Sequence, residues 1–367
     1  MPLINCTFNE FVTHIRSGKK SIICYGAGML PLYIEPLLAR YRLADAVRLF
    51  VDGDRKKEGK TVPIQGRNIQ IVSPDCLKTL EAGDYVILIT AERYKEILER
   101  LGAYVDLEYW ECYAYPLLNL SFFRSTEKKQ LEAGPKSFIP KVIHAIWFGE
   151  KSRENSSLAQ DAGKDDLRFR CMESWRKYCP DYEIREWNEN NYDIGKNRYI
   201  EQAYRRKKWA YVSDYVRLDI LYRYGGIYLD TDVELKKSMD ALLTTKAFLC
   251  FGEWPAPNSG AGIGCVKGHP IIREMMETRE KIDFVQEGGR NDPHTNSNYE
   301  MRILMRHGFQ MDFGYQSTDG MVLYPPDVIA PVSVTGKDSF VTERSIGIHY
   351  CNNSWRGATK STLQAEA

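Results

Sequence analysis

The chain has 367 residues, enough for two domains with sizeable cores. A formal net charge of +1, with 27% charged residues, gives no argument for nucleic acid as a partner. Nine cysteines, odd in number and never spaced Cys-x-x-Cys, argue against a disulfide framework or a thiolate zinc site and for reduced thiols.

The N-terminus lacks the basic start and apolar core of a signal peptide, and no apolar run approaches the roughly 18 residues of a spanning helix. A cytoplasmic protein is expected, with peripheral contact at the inner face of a membrane as the further option. Abundant aromatics (23 Tyr, 7 Trp) suit carbohydrate or nucleoside stacking and suit a large core equally well.

Residues 1 to 130 read as a first domain. Ser21 to Tyr25 is a short apolar strand running into Gly26-Ala-Gly28, followed by a helix from Tyr33 to Tyr41. Val47 to Asp52 and Asp84 to Thr90 are further strands, with a helix from Tyr94 to Leu101. Strand alternating with helix predicts a doubly wound parallel sheet. Gly26, Gly28 and Asp52 imitate a dinucleotide fingerprint, but Pro31 stands where a third glycine belongs. A nicotinamide cofactor is therefore disfavoured, and no Tyr-Lys or His pair of an oxidoreductase follows. The polar stretch Ser121 to Ser137, ending near Gly134-Pro135, reads as the linker.

Residues 131 to 367 read as the second domain. Ile139 to Gly149 is a buried first strand and a loop, in which Trp147 is either a stacking platform for a nucleotide base or an ordinary core residue. His144 has the opposite strand parity and is expected to be structural. Residues 150 to 168 form a polar loop in which Asp165 and Asp166 take no assigned role. Cys171 to Asn188 reads as a helix, a turn and a strand. The basic run Arg205 to Lys208 is a solvated face, or else a contact for anionic lipid.

The most informative stretch is Trp209 to Glu234. An apolar, aromatic segment without Gly or Pro up to Tyr224 predicts a buried helix, which Gly225-Gly226 stops. Ile227-Tyr-Leu starts a strand. On an extended chain alternate residues share a face, so Tyr228, Asp230 and Asp232 are expected to point the same way. Asp214 and Arg217, three apart on the helix, are neighbours. Two carboxylates at a strand end suit a hard divalent cation, which prefers oxygen ligands. A calcium loop is excluded by Leu235, which stands where such a loop needs Gly.

Farther on, Phe248 to Trp254 reads as a strand that brings Glu253 beside the carboxylates. Asn258 to Gly264 is glycine-rich without the Lys-Ser/Thr of a phosphate loop, and is expected to allow close backbone approach near an acceptor sugar. Asn291 to Thr295, before a helix from Asn298 to His307, is a candidate lining of the acceptor cleft.

The pattern Ser213-Asp214-x-x-Arg217-Leu218 with Tyr224-Gly-Gly-Ile-Tyr-Leu-Asp230-Thr-Asp232 resembles the DXD region of family 32 glycosyltransferases, which include mannosyltransferases and capsular polysaccharide enzymes. It is also similar to the clostridial glucosylating toxins. Ser345 to Trp355, with His349, Asn353, Ser354 and Trp355, resembles that family's closing motif, although Tyr350 stands where a second His is common. The resemblance covers roughly residues 138 to 357. Val51 to Asp54 and Ile71 to Pro74 resemble landmarks of small Rossmann-like domains found beside sugar-modifying enzymes.

The resemblance implies an α/β protein, a GT-A type nucleotide-sugar-binding domain preceded by a smaller Rossmann-like domain. It implies a retaining transfer from a UDP- or GDP-sugar to a glycan or lipid-linked acceptor in bacterial surface polysaccharide synthesis. Mn²⁺ or Mg²⁺ would be held by Asp230 and Asp232, with His349 or Asn353 as a further ligand. Asp214 and Arg217 would hold the donor sugar, Trp147 would lie against the nucleotide base, Tyr228 would sit by the nucleoside or sugar, and Ser354 with Trp355 would close over the diphosphate and sugar. Glu253 is the candidate near the reacting carbon. The competing reading is a protein that binds carbohydrate or nucleotide without turnover.

Overall fold

The computed structural model describes residues 3–106, 108–132, 134, 136–149 and 167–351. The chain divides into two compact units: residues 1–127 with 311–313 and 333–339, and residues 128–310 with 314–332 and 340–367.

The first unit is built on a six-stranded sheet. Its strands are β1 (Ser21–Tyr25), β2 (Val47–Val51), β3 (Thr61–Ile64), β4 (Arg67–Val72), β5 (Tyr85–Ile89) and β6 (Glu111–Ala114), in the order β3-β4-β2-β1-β5-β6. All pairs are parallel except the β3–β4 hairpin at the edge. The sheet therefore winds outward from β1 in both directions. Its helices are α1 (Phe8–Gly18), α2 (Leu30–Arg40), α3 (Tyr94–Leu101) and α4 (Tyr115–Ser125). In α1 a capping box ties Thr7 to Glu10, and Phe8, Phe11, Val12 and Ile15 are buried at helical spacing.

Two expectations need correction here. Pro31 lies in the first turn of α2, which begins at Leu30 rather than Tyr33; proline suits that position because its missing N–H is not needed there. The linker does not begin at Ser121, since α4 continues to Ser125. Phe122 and Phe123 are buried, with Phe122 packed 5.2 Å from the Phe8 ring.

Asp52, at the end of β2, accepts hydrogen bonds from the Ala27 N–H (2.8 Å) and the Asp54 N–H (2.9 Å) and pairs with Lys57 (2.8 Å). Its carboxylate is committed to the turn around Gly26 and Gly28.

The second unit holds a seven-stranded mixed sheet. Its strands are β7 (Val142–Ile146), β8 (Glu183–Trp187), β9 (Gly226–Tyr228), β11 (Ala247–Cys250), β12 (Ile263–Cys265), β13 (Gln316–Thr318) and β14 (Met321–Tyr324), in the order β13-β14-β11-β12-β9-β7-β8. A second sheet, β10-β16-β15, comprises β10 (Val233–Leu235), β15 (Ile329–Pro331) and β16 (Gly347–His349). The helices are α5 (Leu167–Tyr178), α6 (Arg198–Arg205), α7 (Trp209–Tyr224), α8 (Pro270–Glu280) and α9 (Asn296–Arg306). One apolar core runs from Ile143 and Trp175 through Leu229 and Phe248 to Val328 and Ile346. Among the described residues no helix is long and apolar enough to cross a membrane.

Helix α7 spans the stretch read as helical, and Gly225 ends it at φ 70°. Gly226 is constrained twice. Its φ is 100°, and a Cβ there would lie 2.8 Å from the Val142 carbonyl oxygen and 3.0 Å from His144 Nε2. Gly226→Ala is expected to cost about 3 kcal/mol, combining left-handed strain and overpacking. A drop in Tm of roughly 5–10 °C would register it; an unchanged Tm would refute the constraint.

His144 is structural, as its parity implied. The Trp187 indole N–H donates to Nδ1 (3.1 Å), so Nε2 carries the proton and donates to the Gly225 carbonyl (2.9 Å). Burial holds its pKa down to about 4, so it is neutral.

Candidate functional site

The end of β9 and the start of β10 carry the paired carboxylates. They do not lie on one extended strand. The chain turns between the two strands, with the Val233 N–H bonded to the Asp230 carbonyl (3.0 Å), so the parity argument fails for Asp232. What brings the groups together is the second sheet. β10 and β16 are antiparallel with Val233 opposite His349, which sets the imidazole beside Asp232. Helix α5 braces β10: the Trp175 indole donates to the Val233 carbonyl (2.7 Å), and Ser174 Oγ accepts from the Leu235 N–H (2.8 Å).

The result is a compact cluster. His349 Nε2 lies 3.3 Å from Asp232 Oδ1 and 3.8 Å from Asp230 Oδ2. One ligand atom from each of Asp230, Asp232 and His349 falls within 4.8 Å of the others. Two carboxylates and an imidazole suit a divalent cation.

Arg217 joins this cluster to Asp214. Its guanidinium, almost fully buried, pairs with Asp214 (2.8 Å), lies 3.6 Å from Asp230 and donates to Ser259 Oγ (3.2 Å). It sits 4.5 Å over the Tyr228 ring, and the Tyr228 hydroxyl donates to Asp230 (2.5 Å). Burial raises the Asp214 pKa to about 6, against the pull of Arg217 and Arg279.

A pH prediction follows from Asp214. The folded value lies above the ordinary 3.8, so protonation favours the fold; this group's contribution to stability is full below 3.8 and lost as pH rises through about 6. Ligand binding that needs the carboxylate should move the other way. Donor affinity, measured by calorimetry, is expected to fall about tenfold per unit below pH 6 without Asp214 itself lowering Tm. Flat affinity across that range would rule out a role for the ionised form.

The glycine-rich stretch needs correction. Gly260 gives close approach to Asp230 itself: the Asp230 N–H donates to the Gly260 carbonyl (2.9 Å), and a Cβ on Gly260 would lie 2.3 Å from Asp230 Oδ2. Asn291 to Thr295 is also more structural than expected. Asp292, buried, accepts from the Tyr199 and Tyr299 hydroxyls (3.0 and 2.7 Å) and from the His294 N–H (3.0 Å).

Trp147 follows β7, with its N–H bonded to the Trp187 carbonyl (2.9 Å). The Arg168 guanidinium covers one indole face at 4.3 Å, and the buried indole N–H has no partner among the described residues. Glu253 lies half-buried just beyond β11, in a turn closed by the Gly252 N–H to Ala256 carbonyl bond (3.0 Å). Tyr350 donates to Glu234 (2.7 Å). In the basic run, Arg205 pairs with Glu201 (2.5 Å) and Arg206 donates to Gly289 and Asn291 (2.9 Å each). Asn353, Ser354 and Trp355 lie outside the described residues, as do Asp165 and Asp166.

The sequence reading missed a second polar layer. Asn296 donates to Ser259 and to Glu300 (2.6 Å) and accepts from Arg279. Arg279 and Glu300 are almost fully buried, and Glu300 Oε2 has no partner among the described residues. Asn258 donates to His349 and accepts from the Gly260 N–H. Asn296 and Glu300 are four apart on α9, but Arg279 stands on α8 and Asn258 with Ser259 on the loop after β11, so only the fold brings the three groups together.

Part of the chain is similar to known proteins. Residues 166–249 match the family described as a glycosyltransferase sugar-binding region containing a DXD motif. That segment, under a quarter of the chain, includes Asp214, Arg217, Asp230 and Asp232. The chain is 29% identical over 168 residues to inositol phosphoceramide mannosyltransferase 3 of Schizosaccharomyces pombe, covering 42% of this chain and 41% of that protein. It is 28% identical over 182 residues to mannosyl phosphorylinositol ceramide synthase SUR1 of Saccharomyces cerevisiae, covering 47% and 44%. The match thus spans less than half the length of these relatives. The solved PaToxG glycosyltransferase is 18% identical over 47% of this chain and 70% of its own, at a TM-score of 0.33, too slight a likeness to fix the fold.

Proposed function

We propose that this chain is a metal-dependent glycosyltransferase, moving a sugar from a nucleotide diphospho-sugar to an acceptor hydroxyl. The observation that carries the reading is the meeting of Asp230, Asp232 and His349 beside the buried Asp214–Arg217 pair. That donor set fits Mn²⁺, with Mg²⁺ as the alternative. A cation held there supplies Lewis-acid stabilisation of the leaving diphosphate.

The remaining roles belong to the chain's own side chains. Arg217, fixed between Asp214 and Asp230, presents its charge toward the diphosphate side without free rotation, which makes it a preorganised electrostatic partner. Asp214, ionised above about pH 6, accepts hydrogen bonds from sugar hydroxyls. Trp147 offers the indole face opposite Arg168 to the nucleotide base. Retention at the anomeric carbon, by front-face attack, is the course the family resemblance favours.

The fungal relatives are named for mannosyl transfer to inositol phosphoceramide. This favours a mannosyl donor and a lipid-linked acceptor over a free glycan, and lends no support to bacterial surface polysaccharide synthesis as the setting. The second unit is read as a GT-A type catalytic domain and the first as a Rossmann-like accessory domain, at the cytoplasmic side of a membrane. Since Asp52 is bonded within its own turn, we assign the first unit no nicotinamide.

The test is a screen of GDP- and UDP-sugars for Mn²⁺-dependent hydrolysis, then transfer to inositol-phosphate lipids. Turnover of one donor class is the expected result; no hydrolysis or transfer with any donor would sink the proposal.

A further inference from the structure

His307 closes helix α9 with its two ring nitrogens set between two carboxylates. Its backbone N–H donates to the Leu304 carbonyl (3.0 Å), and Gly308, at φ 85°, turns the chain away from the helix. Nε2 lies 2.7 Å from Glu274 of α8, and Nδ1 lies 2.7 Å from Asp319 in the turn between β13 and β14. One side chain thus joins two helices to the edge hairpin of the seven-stranded sheet. The α8–α9 pair is also tied at its other end, where Arg279 donates to Asn296.

The partners decide the charge of the ring. Ionised carboxylates only accept, so both nitrogens must donate, and only the imidazolium carries a proton on each. Arg306 also pairs with Glu274, and Arg306 and His307 together hold that carboxyl below its ordinary range. The C-terminal end of α9 favours a cation as well. Two further bases stand at the hairpin turn, His269 at the cap of α8 and Lys246 just before β11. Burial, with the Lys246 and His307 charges, holds His269 below its ordinary value, so it adds no competing cation. At His307 the bonds to Glu274 and Asp319 outweigh burial and hold its pKa above the ordinary 6.5.

We propose that His307 is a proton-operated staple, which binds α8, α9 and the β13–β14 turn together while charged and releases the turn when neutral. A neutral ring has one N–H and serves one carboxylate; the other then faces a ring lone pair. Asp319 is the one to leave, because its side chain is 56% exposed against 35% for Glu274, and Glu274 keeps Arg306. The staple's contribution to stability is whole from the carboxylate range up to 6.5 and fades as pH rises through the raised folded value. The device needs neither cation nor sugar donor, so it stands apart from the transferase reading. It nonetheless bears on the supports of the carboxylate cluster. β14 pairs with β11, whose chain runs on to Asn258, and α9 begins at Asn296 beside Ser259.

Asp319→Asn isolates the charge. Asp319 (φ 50°) and Gly320 (φ 75°) form a two-residue hairpin turn, a geometry that Asn-Gly suits equally well, so the substitution keeps the turn. The first measurement is an NMR titration of the His307 ring in the full chain. A midpoint above 6.5 is expected for wild type, lower by about one unit in Asp319→Asn and in Glu274→Gln. A midpoint at or below 6.5, or one that either substitution leaves unmoved or raises, overturns the inference. The second measurement compares the Tm of wild type and His307→Gln from about pH 6 to about pH 9. Wild type should be the more stable at the acid end, by a margin that shrinks as pH rises. A margin that is absent, constant or growing would leave His307 a packing residue and overturn the switch.

Discussion

Asp232→Ala is expected to lower Mn²⁺-dependent hydrolysis of the nucleotide-sugar by at least about a thousandfold, because on the proposed reading it removes a cation ligand whose charge stabilisation is worth several kcal/mol. The fold should survive. The Asp232 side chain is partly exposed, and the backbone bond that anchors it, from the Tyr350 N–H to the Asp232 carbonyl (3.1 Å), does not involve the carboxylate. Activity and Tm measured on the same preparation separate the outcomes. Retained turnover would dismiss the cluster as a metal site, and a collapsed Tm would show the residue to be structural instead. Asp214→Asn should behave differently. It should weaken donor binding rather than cation loading, and Tm should hold, because burial already raises the Asp214 pKa to about 6 and so favours a neutral side chain there.

The second large effect is expected at Gly260→Ala. A methyl group there would stand 2.3 Å from Asp230 Oδ2, and Asn258 Oδ1 at 3.1 Å closes the other side. The carboxylate has to move, and it takes with it the Tyr228 hydroxyl (2.5 Å) and the Arg217 contact (3.6 Å). A loss of about a hundredfold in kcat is expected for a displacement of this order at a catalytic group. Stability should fall by only about 1–3 kcal/mol for the overpacking. The contrast with Gly226→Ala is the informative part. Both glycines avoid a clash, but only Gly260 touches the carboxylate, so only its alanine variant should lose kcat out of proportion to Tm.

Much of the second unit is legible in its sequence for simple reasons. Helix α7 could be bounded because a run without Gly or Pro ends at Gly225, whose φ of 70° suits glycine. Pairing Asp214 with Arg217 needed only helical periodicity. Asp232 shows where such arithmetic fails. Strand parity predicts direction only while the chain stays extended, and here a turn intervenes, so the residue arrives in the cluster through β10–β16 pairing. The β3–β4 hairpin went unseen because Gln65 (φ 47°) and Gly66 (φ 75°) form its turn, and Gln is not the Asn or Asp that usually marks such a pair. Asn258, Arg279 and Glu300 carry no local signal at all. Arg279 and Glu300 are ordinary polar residues until burial sets both against Asn296, and Asn258 is one until the fold places it between Gly260 and His349.

The pairing of β10 with β16 also bears on how the protein comes to be active. Glu234 and Tyr350, joined side chain to side chain across that pair, are 116 residues apart in sequence. A ribosome that has delivered the carboxylates must still deliver the whole intervening stretch before His349 can reach them. Contacts of such separation form late, after their loop entropy has been met by the packing between. The growing polypeptide thus passes through a stage in which helix α7 and the acidic turn exist without the imidazole. On the proposed reading, competence for chemistry waits until one short strand, β16, docks against β10.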